Sequence, residues 1–133
     1  MGLPVQIAAV LSGTLLSACG GPGGEIGIRE SGASSFTTVA ADHVALAECT
    51  KDALERKEWG YIRMTAAPTL SLLPHRNQAK LIAYDSNGGL QYLIDIRGES
   101  DRSNVEVYAQ HLGWMYTGQQ MADELVGVVQ QCA

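Results

Sequence analysis

The fold is decided by one stretch, Lys80-Leu81-Ile82-Ala83-Tyr84-Asp85-Ser86-Asn87-Gly88-Gly89-Leu90-Gln91-Tyr92-Leu93-Ile94-Asp95-Ile96-Arg97. Two apolar runs of period two flank a polar, Gly-rich turn, and Asn-Gly is the preferred pair for the type I′ turn that joins antiparallel strands. The stretch therefore reads as a β-hairpin with strands over residues 80–85 and 90–97. Leu90, Tyr92, Ile94 and Ile96 fall on one face, while Gln91, Asp95 and Arg97 fall on the other, with Leu93 as an exception. Such a sheet packs on a core by its apolar face and meets solvent by its polar one.

Working outward, residues 104–110 supply a further strand with Val105, Val107 and Ala109 inward, after the polar turn 98–103. Residues 61–65 also alternate, which brings the sheet to about four strands. Pro68 and Pro74 bracket Leu70, Leu72 and Leu73, and residues 66–78 read as a loop folded over an edge. Beyond these strands the spacing turns helical. Asp42 is placed to cap a helix over residues 43–58 that carries Leu46, Cys49, Ala53 and Leu54 on one face. In a second helix, residues 119–132, Met121, Ala122, Leu125, Val128, Val129 and Cys132 take i, i+3, i+4, i+7 positions.

The expected fold is thus α+β, two-layered, with both helices on one face of the antiparallel sheet. Four strands spaced about 4.8 Å apart make a sheet about 19 Å wide, which two helices each about 10 Å across can cover. Side-by-side helices bring facing Cα atoms to roughly 4 to 6 Å, the range a disulfide needs. A Cys49–Cys132 bond is expected, with two separate buried thiols as the alternative.

The chain has 133 residues, 14 acidic and 9 basic side chains and a formal charge of −5. One domain is the ceiling, and the absence of clustered Lys and Arg argues against a nucleic-acid partner. Glu25 is the first charged side chain, and residues 1–18 have the apolar middle and small-residue end of a secretory signal peptide. Three readings compete: an uncleaved transmembrane helix, although residues 3–18 would rise about 24 Å against a hydrocarbon thickness of roughly 30 Å, and an ordinary cleaved signal with Cys19 a spare thiol or a buried apolar helix of the mature domain, both disfavoured by the Gly-rich sequence that follows. Leu16-Ser17-Ala18-Cys19 resembles the lipobox of bacterial lipoproteins, in which a leucine and two small residues precede an obligatory cysteine. The resemblance implies cleavage between Ala18 and Cys19, a thioether-linked diacylglycerol on Cys19, and acylation of the new amino terminus. It covers the leader alone, and no Lys or Arg precedes the apolar stretch as secretory signals normally require.

Gly20 and Gly21, with no aspartate there, resemble the outer-membrane pattern of the same family, which implies a periplasm-facing anchor. Export would place the domain in an oxidising compartment, and lipidation of Cys19 would leave Cys49 and Cys132 as an even pair. Residues 19–41, rich in Gly, Ser, Thr and Ala, read as the lipidated cysteine and a flexible tether reaching roughly 25 Å. Ile26, Ile28 and Phe36 are material for a short edge strand in the competing reading. The folded domain is then expected over residues 42–133.

Reactive patterns are sparse. His43, His75 and His111 occupy three different contexts, with no metal-binding spacing and no Cys-x-x-Cys pair, so no metal and no cofactor beyond the covalent lipid is expected. Asp95 and Glu106 can face one another across neighbouring strands, as acid–base hardware if buried or as partners for Arg97, Lys80 or Arg63 if solvated. Trp59 and Tyr61 follow the first helix, and Trp114, Met115 and Tyr116 precede the last. If exposed at one end of the sheet they form a binding surface; if buried they close a small core. The expected function is a membrane-anchored envelope lipoprotein whose domain is a non-enzymatic module for another envelope protein or a cell-wall component. The alternative is a small periplasmic hydrolase or hydrolase inhibitor, with His111 and the carboxylates lining a pocket.

Overall fold

The computed structural model describes residues 24–59, 67–85, 88–111 and 116–133. The hairpin read from the sequence is present as β3 (Gln78–Tyr84) and β4 (Leu90–Glu99), continued by β5 (Arg102–Ala109). Two further strands, β1 (Ala33–Val39) and β2 (Thr69–Leu73), complete a five-stranded antiparallel sheet of order β1-β5-β4-β3-β2.

In the β3–β4 connection Ser86 and Asn87 lie outside the described residues. Asp85 and Gly89 close it through Asp85 N–H to Gly89 O at 2.8 Å, and Gly88 takes a left-handed φ of 85°. Tyr84 pairs with Leu90 but Ala83 pairs with Tyr92, so Gln91 is an extra residue in β4, a β-bulge. The bulge separates Leu90 from the apolar set expected on its face. Tyr92, Ile94 and Ile96 join the main core, whereas Leu90 packs with Leu93 and Ile28 on the opposite face. Gln91 instead turns toward the main core, donating to the Gln110 carbonyl at 2.6 Å and lying 3.5 Å from Met121 Sδ.

Helix α2 (His43–Arg56) and helix α3 (Gly118–Gln131) cover the main-core face, as their spacing predicted. The Asp42 carboxylate accepts from the backbone N–H groups of Val44 and Ala45 and caps α2, and Thr117 with Gln120 forms a capping box at α3. Met121, Ala122, Leu125, Val128 and Val129 are buried. The inward face of α2 is Leu46, Ala47, Thr50 and Leu54, so Cys49 lies on its exposed flank rather than on the stripe. That flank faces α3, and Cys49 is joined to Cys132 with a Cα–Cα distance of 5.9 Å.

The tether reading is corrected from residue 25 onward. Glu25–Ser31 forms helix α1, and β1 pairs with β5 along its length, from Ala33 opposite Ala109 to Val39 opposite Ser103. The folded part therefore includes α1 and β1 and does not start at Asp42. Helix α1 lies on the sheet face opposite α2 and α3, with Ile28 fully buried against Leu90 and Leu93, which makes three layers instead of two and explains the apolar Leu93. Residues 69–73, read as part of a loop, are the edge strand β2, and a 3-10 turn (Pro74–Arg76) follows; the prolines bound the strand rather than interrupt it. The strand expected over residues 61–65 lies outside the described residues.

Candidate functional site

The chemistry of the molecule concentrates under α1. Asp95 lies in the middle of β4, directly opposite Glu106 of β5, and its side chain is 0% exposed. Burying a carboxylate demands partners, and three converge on it. Arg29 of α1 donates at 2.7 Å to one oxygen, Gln78 of β3 donates at 2.7 Å to the other, and Arg97 approaches at 3.4 Å. Arg29 also reaches Glu25 at 3.3 Å and Glu106 at 3.4 Å, and its guanidinium stands 5.1 Å from the Tyr108 ring centroid. Tyr108 donates its hydroxyl to Glu106 at 2.9 Å, and Lys80 bonds Glu25 at 2.5 Å. Three acids and three bases thus form one network between helix and sheet.

Burial by itself would push the Asp95 carboxyl up, but the hydrogen bonds from Arg29 and Gln78 and the charges of Arg97 and Arg29 outweigh it and hold the group below its usual value. Glu25 is likewise held low, chiefly by its bond to Lys80. Carboxylates held charged are suited to fixing a helix in place; a general acid at neutral pH needs the opposite shift. Asp95 and Glu106 do face one another as their spacing suggested, with the Arg29 guanidinium bonded to both. Sequence reasoning missed Arg29 altogether, although an arginine one residue after Ile28 in an otherwise weakly charged segment was the available signal.

Of the expected aromatic surface, Trp59 and Tyr116 are described and Tyr61 and Trp114 lie outside the described residues. Trp59 and Tyr116 both pack partly buried against the main core, and Trp59 sits 6.4 Å from the Tyr92 ring. Lys57 stands over Trp59 at 4.9 Å and pairs with Glu124 at 3.6 Å, and Glu124 accepts the Tyr116 hydroxyl. A charged bridge from Lys57 to Glu124 of α3 thus links the two aromatics.

The histidines stay apart. His75 and His111 are exposed, and no hydrogen bond or ion pair among the described residues joins His111 to Asp95 or Glu106. His43 is pressed against Gly98, where an added Cβ would lie 2.5 Å from its Nδ1, and the two residues share a shallow depression with Asp42, Asn77, Ser100 and Arg102. Asn77 and Ser100 at its rim hold left-handed φ angles of 49° and 52°. A second open depression lies on the α1 side of the sheet beside Phe36, Thr38, Asn104 and Glu106. Among the described residues no group of three or more His, Cys, Asp or Glu is arranged to hold a metal ion, and no helix is long and apolar enough to cross a membrane. Cys19 lies outside the described residues. No protein-family model matches the chain, and the comparison with curated proteins finds no match.

Proposed function

We propose that this chain is a membrane-anchored envelope lipoprotein whose small domain is a non-enzymatic binding or structural module. The observation that carries the reading is the fate of the three cysteines. Cys49 and Cys132 are joined to one another, which fits an oxidising compartment, and the odd cysteine is the one that ends the Leu16-Ser17-Ala18-Cys19 motif. The Asp95 network favours a binding or structural role, because Asp95 and Glu25 are held charged and all three of its carboxylates are bound to the domain's own bases. The partner in this reading is another envelope protein or a cell-wall component, and the membrane is the outer one, facing the periplasm. Intact mass spectrometry of the chain made in a bacterium tests it: residues 1–18 are absent, Cys19 carries diacylglycerol, and Cys19→Ser abolishes the added mass. Photo-crosslinking in intact cells then recovers a defined envelope partner. A chain that retains Met1, or a purified domain that turns over a cell-wall or lipid substrate, overturns the reading.

A further inference from the structure

Four large apolar side chains remain exposed among the described residues: Ile26, Phe36, Leu72 and Tyr84. Three of them share one side of the sheet. Ile26, 59% exposed, belongs to α1 itself. Phe36, 64% exposed, stands directly opposite Glu106, the residue that Arg29 of α1 reaches, and directly opposed residues of antiparallel strands share a face. Tyr84 stands opposite Leu90, which packs on Ile28 of α1. Leu72 alone stands opposite Ala79, on the side covered by α2 and α3. The charges on the α1 side are also largely balanced, because Glu25, Asp95 and Glu106 are paired with Arg29, Lys80 and Arg97, which leaves the exposed Glu30 as the further acid on α1. Most of the chain's charge of −5 is therefore carried elsewhere.

What covers this side follows from chain length. Only five Cα–Cα steps separate Cys19 from Gly24, the N-cap of α1, and at 3.3 to 3.6 Å per residue they span at most about 18 Å. Three layers, each about 10 Å thick, make the domain roughly 30 Å deep from α1 to the outer surface of α2 and α3. A lipid-bearing Cys19 cannot reach the bilayer past the far layer. It can do so only with the start of α1 turned toward the membrane.

We propose that the α1 side of the sheet, led by Ile26 and Phe36, lies on the lipid bilayer surface and orients the domain, so that α2, α3 and the disulfide face away from the membrane. The proposal rests on the lipoprotein reading, and it replaces a domain standing clear on a long tether with one held against the headgroups. Amphipathic surfaces of this kind seat apolar side chains at the boundary between headgroups and acyl chains.

The test uses the full acylated chain, reconstituted into vesicles of phosphatidylethanolamine and phosphatidylglycerol, with the photoreactive residue p-benzoylphenylalanine at position 26, 36 or 72. All three positions are exposed, and non-reducing electrophoresis checks that the Cys49–Cys132 bond has formed in each variant. The expected result is a phospholipid mass adduct at positions 26 and 36 and its loss at position 72. Equal adduct yields at all three positions, or no lipid adduct at 26 and 36, overturn the proposal while lipid mass on Cys19 leaves the lipoprotein reading intact. A chain without lipid mass on Cys19 overturns both.

Discussion

The two faces of the sheet are closed by different physics. On one, α2 and α3 lay apolar side chains from Leu46 to Val129 over Leu81, Tyr92, Ile94, Ile96, Val105 and Val107, and a disulfide fastens the helices to each other. On the other, the two-turn helix α1 buries Ile28 and is otherwise held by ions. Burial of apolar area is additive and tolerant of small shifts, whereas a buried carboxylate with fixed partners is intolerant of losing any one of them. The apolar face should therefore survive single changes that release the ionic one.

The largest expected effect lies on the apolar face. Replacing both cysteines, Cys49→Ala with Cys132→Ala, opens a loop whose ends are 83 residues apart and lowers stability by roughly 4 kcal/mol in the chain-entropy account. Urea unfolding of the oxidised wild type and the double variant measures it. The folded variant should keep its helical circular dichroism, because the stripe beneath the bond is apolar without it. An unchanged midpoint would show that the unfolded chain gains nothing from losing the link.

Next in size is Arg29→Met, which leaves Asp95 buried with its nearest positive charge removed and should cost about 3 kcal/mol. Adding Asp95→Leu should restore part of that loss, since an apolar pair needs no ionic partner. The pH dependence carries a definite sign. The Asp95 carboxyl is held below its ordinary value in the folded chain, so its contribution is fully present above the ordinary carboxylate range near pH 4 and fades as pH falls through the lowered value. Wild type and Asp95→Asn should differ most at neutral pH and converge in acid. Constant separation down to pH 2 would sink the clamp, and hydrogen exchange of residues 25–31 should report its release before the α3 amides respond.

The smallest effect concerns neither face but the turn between two strands of the sheet. Ser100 holds a left-handed φ of 52° between β4 and β5, and Ser100→Gly should stabilise the chain by up to about 1 kcal/mol, net of glycine's greater unfolded freedom. A loss of stability in thermal unfolding would show that the Ser100 side chain contributes more than its backbone conformation costs.

The difference between the faces also explains what was legible. The hairpin, the strand over residues 102–109 and both long helices announced themselves because each repeats its apolar residues at its own local period. Strand β1, Ala33-Ser34-Ser35-Phe36-Thr37-Thr38-Val39, did not, since an edge strand takes its order from backbone pairing and shows little hydrophobic contrast between its faces. Helix α1 was hidden for a related reason: seven residues with one buried isoleucine carry too short a pattern to stand out from a Gly-rich stretch.

From the sequence came the α+β class and the placement of two helices on one face, products of short-range spacing, and the Cys49–Cys132 pairing, which followed from packing those helices side by side and from the cysteine count. The tertiary structure decided the third layer, the bulge at Gln91 that separates Leu90 from Tyr92, and the partners of Asp95. Arg29 finds Asp95 across 66 residues and Glu106 across 77. Periodicity records which side of an element is apolar, but ion pairs between distant segments depend on the register and layering of the folded chain, which no local window contains.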